Sequence, residues 1–157
     1  MNKYFVTALI CLVLIGSVAY GAIIHVPGAQ PTIQAGIDAA KDGDTVLVAA
    51  GTYTGLGNRN LDFKGKEITV TSENGAVATI IDCEHTDNTR GFHFHNGETT
   101  SSVLEGFTIK NGKMHEPPNN VTGGGILCDS SSPTITNCII TENTVYIDGG
   151  GIYCAYS

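Results

Sequence analysis

The sequence predicts an all-β fold, a parallel β-solenoid with one short capping α-helix near its N-terminal end. Twenty Gly residues, no Trp and only 7% aromatic residues among 157 indicate many short strands joined by tight turns. One segment also repeats, because GGGILC at residues 123–128 returns as GGGIYC at 149–154. Such repeats are typical of stacked architectures, in which each unit packs only against its neighbours.

Short strands with alternating apolar residues extend this repeat along the chain. Equating one apolar residue in each strand gives spacings of 22, 24, 34 and 26 residues, through Val46, Ile68, Phe92, Ile126 and Ile152. A second series runs through Ile81, Leu104 and Ile135, and a third match equates Ile109 with Ile140. A period near 24 predicts one coil of a solenoid, with successive coils roughly 4.8 Å apart. An exposed loop at 112–122 explains the longest spacing.

Alternation along each strand assigns its residues to the inside or the outside of the solenoid. We expect these pairs to point inward: Val46/Val48, Ile68/Val70, Phe92/Phe94, Ile126/Cys128 and Ile152/Cys154. The first outward column then holds Leu47, Thr69, His93, Leu127 and Tyr153, and the second holds Ala49, Thr71, His95, Asp129 and Ala155. Any site on such a fold is built from these outward columns.

Residues 1–21 read as a secretory signal peptide. Lys3 precedes an apolar run of eleven residues at 5–15, and Ala19 and Gly21 supply the small residues of a cleavage site before Ala22. The run is too short for a membrane span, which needs about 20 apolar residues. An uncleaved anchor is the alternative. No other segment predicts a span, so we expect an exported protein.

Residues 22–44 predict an N-terminal cap, and residues 45–157 predict the coils. The segment 31–44 favours an amphipathic helix with Thr32 as its N-cap and Gly43 at its C-terminal stop. Such a helix covers the apolar core and the strand edges of the first coil. The last coil is incomplete, which predicts a fragment of a longer protein and self-association through the open coil.

The formal charge of −7 argues against a nucleic-acid surface. Lys and Arg total 8 against 15 Asp and Glu, and the sequence has no cluster of basic residues. Cations, neutral glycans such as polysaccharides or cell-surface glycans, and other proteins are the expected partners.

The N-terminal segment and the repeats together resemble a known family. IHVPGAQPTIQAGIDAAKDGDTVLVAAGTY, residues 24–53, resembles the start of right-handed parallel β-helix proteins of the pectin-lyase-like superfamily. GGGILC, GGGIYC and IITEN are similar to repeats of bacterial surface and polymorphic outer-membrane β-helix proteins, although Ile140 stands where Phe is usual. The resemblance implies the fold, and it leaves the activity open because this fold carries lyases, esterases, hydrolases and adhesins.

The family's catalytic residues do not carry over to this chain. Its esterases use two Asp, an Arg and Gln residues on central coils, and no matching set is found here. Its lyases use an Arg or Lys base beside bound Ca²⁺ on later coils. Arg59 and Arg90 are the two arginines of this chain, and neither lies within an acidic cluster that aligns with the family. We therefore predict no catalytic or cofactor-binding residue.

A calcium site is one prediction from the outward acids. In the second series Asp82 and Glu105 follow equivalent apolar residues, so their carboxylates are expected about 5 Å apart on adjacent coils. Two such carboxylates repel each other unless a cation bridges them. Glu84 or Asp87 supplies further oxygen ligands. The alternative is that these are solvated surface acids that point apart.

A second prediction is an outward cluster of His93, His95 and Asp129. The two histidines alternate with Phe92 and Phe94, and Asp129 lies beside His95 one coil further on. Two His and an Asp can bind Zn²⁺ or act as acid and base. However, residues i and i+2 of a strand are nearly 7 Å apart, which favours a plain polar face instead.

Cys128 and Cys154 are expected to face each other inside successive coils. Their spacing is compatible with a disulfide in an exported protein, and a ladder of buried thiols is the favoured alternative. The glycine triplets precede strands rather than a Lys-Ser/Thr and a helix, so they predict tight turns and not a phosphate loop.

These observations favour an exported, non-catalytic β-helix of the bacterial cell surface, used for adhesion, glycan binding or as a structural scaffold. The alternative is the N-terminal portion of a polysaccharide lyase or another carbohydrate-active enzyme, with catalytic coils beyond residue 157. No cofactor is predicted apart from Ca²⁺.

Overall fold

The computed structural model describes residues 21–115, 122–146 and 148–156, which are predominantly β. These ranges hold one helix and fourteen strands. The helix α1 spans Ile33–Ala39, and the strands are β1 (Ile23–Val26), β2 (Thr45–Val48), β3 (Gly51–Tyr53), β4 (Thr69–Ser72), β5 (Thr79–Asp82), β6 (Phe92–Phe94), β7 (Val103–Glu105), β8 (Thr108–Lys110), β9 (Lys113–Met114), β10 (Ile126–Asp129), β11 (Thr134–Thr136), β12 (Ile139–Thr141), β13 (Thr144–Val145) and β14 (Ile152–Ala155).

The predicted signal peptide falls almost wholly on residues 1–20, outside the described ranges. Within those ranges, no helix is both long and apolar enough to cross a membrane.

The strands form four sheets, and every pairing between these strands is parallel. Sheet A has the order β1-β2-β4-β7-β11, sheet B β3-β5-β8-β12, sheet C β6-β10-β14 and sheet D β9-β13. The strands β7, β8, β9 and β10 belong in turn to sheets A, B, D and C. The strands β11 to β14 repeat this order, and each pairs in register with the equivalent strand of the preceding set. We call one such set a circuit. The second circuit contains β4, β5 and β6, and the first contains β2, β3 and Leu61, which bridges to Phe92 of sheet C.

The core lies on the inward side of sheets A, B and C. Val46, Val70 and Leu104 are successive partners in sheet A and are fully buried. Three aromatic rings fill the interior beside sheet C, with the Phe63 and Phe94 centroids 4.9 Å apart and the Phe92 and Phe94 centroids 5.9 Å apart. Stacked and tilted aromatic contacts at these distances stabilise the packing of successive circuits.

The predicted equivalence of strands is right for some pairs and wrong for others. Leu104 pairs with Ile135 and Ile109 pairs with Ile140, as predicted. However, Val46 pairs with Val70 instead of Ile68, and the series Phe92, Ile126 and Ile152 belongs to sheet C while Val46 belongs to sheet A. Each circuit carries several strands with the same alternation. The predicted series that begins at Val46 therefore joined strands of two different sheets.

The helix α1 forms where the sequence predicted it and ends earlier. Thr32 is its N-cap and accepts a hydrogen bond from the Ala35 amide at 3.2 Å. The helix stops at Ala39 because Ala40 is already extended, and Gly43 lies beyond it at φ 87°. The last carbonyls are bound by Lys66, whose Nζ donates to the backbone oxygens of Ile37, Asp38 and Ala40 at 2.7, 2.9 and 2.8 Å.

Gly36 lies inside α1 because the helix packs closely on the first two strands of sheet A. A Cβ at this position would lie 2.8 Å from Val46 Cγ1 and 3.0 Å from Val26 Cγ2. The second of these strands was predicted, while β1, which precedes the helix and pairs with β2, was not. Residues 22–44 therefore contain a strand as well as a helix.

The glycine triplets act in two ways. The first glycine of each triplet, Gly123 or Gly149, has a positive φ of 63° or 71° and forms the predicted turn. The third glycine allows close stacking instead, since a Cβ on Gly125 would lie 2.6 Å from the Gly151 carbonyl oxygen of the next circuit. A larger residue at either kind of position would disturb the turn or the stacking.

Candidate functional site

The outward face of sheet C carries a group of polar side chains that we call the histidine patch: Asp62, His93, His95, Asn96 and Asp129. Because Leu61 bridges to Phe92, Asp62 of the first circuit lies beside His93 of the second. Because Cys128 pairs with Phe94, Asp129 of the third circuit lies beside His95. The register therefore places two imidazoles between two carboxylates.

The two imidazole rings stack on each other, with centroids 4.0 Å apart and planes inclined by 26°. Although i and i+2 backbone positions are nearly 7 Å apart, these side chains converge. Nδ1 of His95 lies 3.3 Å from the His93 carbonyl oxygen. Because a carbonyl only accepts, this hydrogen bond places a proton on Nδ1 and leaves Nε2 of neutral His95 as an acceptor.

Asp62 is held in a fixed orientation at the edge of the patch. Its Oδ1 accepts hydrogen bonds from Asn96 Nδ2 at 2.9 Å and from the Lys64 amide at 2.7 Å. Its Oδ2 lies 3.9 Å from Nε2 of His95. The sequence analysis missed Asp62, although the motif Leu61-x-Phe63 repeats the alternation of the later FHF strand and signals the same face.

The environment of His93 disfavours its charged form. The pKa of His93 is lowered to about 4, mainly by burial and in addition by His95 and Arg90, while Asp62 and Asp129 oppose the shift. His93 is therefore neutral at physiological pH. Its Nε2 is buried and has no hydrogen-bond partner among the described residues.

The register on which the calcium prediction depended is wrong. Asp82 belongs to sheet B, where it pairs with Lys110, whereas Glu105 belongs to sheet A, where it pairs with Thr71 and Thr136. The error arose because Ile81 and Leu104 were equated, although they lie in different sheets. The two carboxylates are thus not neighbours on one column.

The predicted calcium ligands are each engaged with another side chain. Asp82 accepts from Asn111 Nδ2 at 2.8 Å and lies 3.4 Å from Lys110 Nζ. Burial alone would raise the pKa of Asp82, but these contacts and the Glu84 amide outweigh it and lower the pKa. The remaining carboxylates contact Arg59 (Glu84, 3.0 Å), Asn137 (Glu105, 3.0 Å) and Lys113 (Asp87, 2.6 Å). Over the described ranges, no three His, Cys, Asp or Glu side chains are grouped as a metal cluster.

Glu98 connects three circuits at the corner between sheets C and A. The residue is 2% exposed, and its carboxylate accepts hydrogen bonds from the Gly65 amide at 2.9 Å, the Asn96 amide at 2.9 Å and Ser131 Oγ at 2.8 Å. Burial alone would raise the pKa of Glu98, but these donors outweigh it and lower the pKa. Glu98 is therefore a charged structural residue.

The predicted register of the cysteines of the last two circuits is confirmed, and their predicted burial is right for one of them. Cys128 pairs in register with Cys154 and no disulfide joins them, but Cys128 is buried whereas Cys154 is exposed. Burial raises the pKa of Cys128 to about 12 and that of Cys83 likewise to about 12. Thiols with such pKa values are protonated at neutral pH and are poor nucleophiles.

No family model, curated protein or solved structure matches this chain. The likeness to pectin-lyase-like proteins thus depends on the motifs quoted from the sequence, together with a predominantly β structure whose sheets are parallel.

Proposed function

We propose that the chain is a right-handed parallel β-helix of the pectin-lyase-like kind, exported to the bacterial cell surface, where it acts as a non-catalytic scaffold. The repeated order of the sheets A, B, D and C supports the solenoid. The helix α1 packs against β1 and β2 at the first edge of sheet A, in the manner of a cap. The net charge of −7 is compatible with neutral glycans as ligands of such a surface.

The observation that carries this proposal is the use of polar side chains to connect successive circuits. Asn143 donates from Nδ2 to the Ile109 carbonyl at 3.0 Å and accepts from the Gly112 amide at 2.7 Å. Glu98 bridges three circuits. Glu105 of sheet A and Asp82 of sheet B also accept hydrogen bonds from Asn137 and Asn111 on neighbouring circuits. Side chains that connect circuits in this way stiffen the stack, as a scaffold requires. Their polar atoms are already hydrogen-bonded within the protein rather than left to bind a substrate.

Surface labelling of native cells tests the location. We expect a membrane-impermeant amine reagent to modify the protein on intact cells, through exposed lysines such as Lys41 and Lys64. N-terminal sequencing of the unlabelled protein from the same cells is expected to begin at Ala22. A protein that is labelled only after the cells are broken would contradict export to the surface.

An activity assay tests the absence of catalysis. We expect the purified chain to release no unsaturated products from pectate or alginate with added Ca²⁺, as followed by ultraviolet absorbance. Product release that survives repurification, and that is lost when the protein is heated, would refute the scaffold proposal and favour a polysaccharide lyase.

A further inference from the structure

We propose that Cys128 and Cys154 are a reversible redox pair, whose oxidation by a small disulfide joins the third and fourth circuits through one covalent bond. The pair lies on the inward side of sheet C, with Cys128 on β10 and Cys154 on β14. Its chemistry does not depend on the scaffold function, so a failure of either proposal leaves the other standing.

The register of sheet C brings the two thiols together. Cys128 and Cys154 are in-register partners on neighbouring parallel strands. Such partners point to the same face of the sheet, and neighbouring strands lie roughly 4.7–4.9 Å apart. A disulfide needs Cα atoms about 4.4–6.8 Å apart, so the backbone already meets this condition. The thiols are also in contact, because that of Cys128 is hydrogen-bonded to Cys154. Bond formation therefore requires small movements of the side chains.

The difference in exposure gives each thiol its role. Cys128 is 2% exposed and lies between Phe94 and Cys154, whereas Cys154 is exposed on the edge strand of the sheet. Burial, and next the contact with Cys154, raise the pKa of Cys128 to about 12, so this thiol is a poor first nucleophile. An oxidant in solution reaches Cys154 first. Cys128 then resolves the mixed disulfide from within the core.

The oxidation consists of two thiol–disulfide exchange steps. In the first, the thiolate of Cys154 attacks one sulfur of a small disulfide such as oxidised glutathione. This forms a mixed disulfide and releases one glutathione thiolate, which takes up a proton. In the second, Cys128 loses its proton and its sulfur attacks Sγ of Cys154, which expels the other glutathione as a thiolate that is protonated in turn. The two cysteines thus lose two electrons and two protons, and the oxidised glutathione gains them.

The disulfide would fasten the edge strand of sheet C to the interior of the stack. Twenty-five residues lie between the two cysteines, so the closed loop contains β11, β12 and β13. A cross-link that closes such a loop restrains the unfolded chain and opposes the opening of the fourth circuit. Reducing thiols can reach the bond again at Cys154, and exposed disulfides are the more easily reduced kind. Over the described strands, no other pairing joins two cysteines.

Incubation of the reduced full-length chain with oxidised glutathione tests the pair. Peptide mapping by mass spectrometry under non-reducing conditions should show a glutathione adduct on Cys154 first. A cross-linked peptide should then replace it, lighter by two hydrogen atoms than the two thiol peptides together. We expect amide exchange in β14 to slow by at least about tenfold on closure, because the cross-link opposes local opening, and to recover when dithiothreitol is added.

Two variants separate the roles of the thiols. Cys128→Ser is expected to stop at the glutathione adduct on Cys154. Cys154→Ser is expected to leave Cys128 unmodified, and its exposed position keeps the test valid if the buried variant does not fold. Cys138→Ser is the matched control, because Cys138 is partly buried and donates to the Thr136 carbonyl at 3.3 Å, which a serine hydroxyl can also do. We expect it to close like the wild type.

Four results would each overturn the proposal. These are a wild-type adduct on Cys154 that never converts to the cross-link, a disulfide between the Cys154 residues of two molecules, a loss of closure in Cys138→Ser, and a closed form whose β14 exchanges as fast as in the reduced form.

Discussion

At the scale of single residues, the carboxylate of Glu98 makes the clearest energetic contribution outside the apolar core. Glu98→Gln keeps the size of the side chain but replaces one acceptor oxygen by a donor, which then faces either the Gly65 amide at Oε1 or the Asn96 amide at Oε2. We expect the free energy of unfolding to fall by about 1–3 kcal/mol at pH 7, the usual cost of buried groups left unsatisfied. Urea unfolding followed by circular dichroism measures this change.

The same carboxylate predicts a pH dependence. The folded-state pKa of Glu98 is lowered, so its stabilising effect is complete above the unfolded-state pKa of about 4.3 and is lost as the pH falls through the folded-state value. The difference in free energy of unfolding between the wild type and Glu98→Gln should therefore shrink as the pH falls from 7 to 3. Glu73→Gln, at an exposed position, is the control. A difference that stays constant with pH would contradict a charged Glu98.

At the scale of elements, the helix α1 is stabilised from outside itself. It has no basic residue in its last turn, and the ammonium of Lys66 binds three of its C-terminal carbonyls instead. We expect Lys66→Met to lower the free energy of unfolding by about 1.5–3 kcal/mol, the range for hydrogen bonds to charged groups. Thermal unfolding and amide exchange in α1 measure this loss.

Lys64→Met is the matched control for that prediction. Lys64 lies two residues away and contacts Asp38 at 2.6 Å, with both side chains about half exposed. Exposed ion pairs contribute roughly 0–1 kcal/mol. If the two variants lost equal stability, the carbonyl contacts of Lys66 would not be what holds the helix.

At the scale of the whole molecule, the sequence predicts which residues face inward better than it predicts which strands are neighbours. Period-2 alternation identified the buried faces around Val46, Phe92 and Ile126, and Thr32 identified the start of the helix. Alternation is the same in all sheets, however, and the connections differ in length. Spacing alone therefore could not separate sheet A from sheet C.

The candidate site was predictable to the same extent. His93, His95 and Asp129 follow from alternation within and between neighbouring strands of sheet C. Asp62 was missed, although Leu61-x-Phe63 shows the same alternation, because its segment joins sheet C through the single bridge of Leu61 and lacks the glycine triplet that marks β10 and β14. The calcium prediction failed for the related reason that it needed the correct sheet for both Asp82 and Glu105.

The stacked core predicts that the circuits unfold together. Phe94 contacts Phe63 of the first circuit and pairs with Cys128 of the third, so Phe94→Ala removes packing on both sides of its own circuit. We expect the free energy of unfolding to fall by about 3–5 kcal/mol. Hydrogen exchange should accelerate in β2 and β11 alike, because a short stack is coupled through each interface. Leu56→Ala, at an 89% exposed position, should change stability by less than about 0.5 kcal/mol. Acceleration confined to the second circuit would instead show that each circuit opens independently of its neighbours.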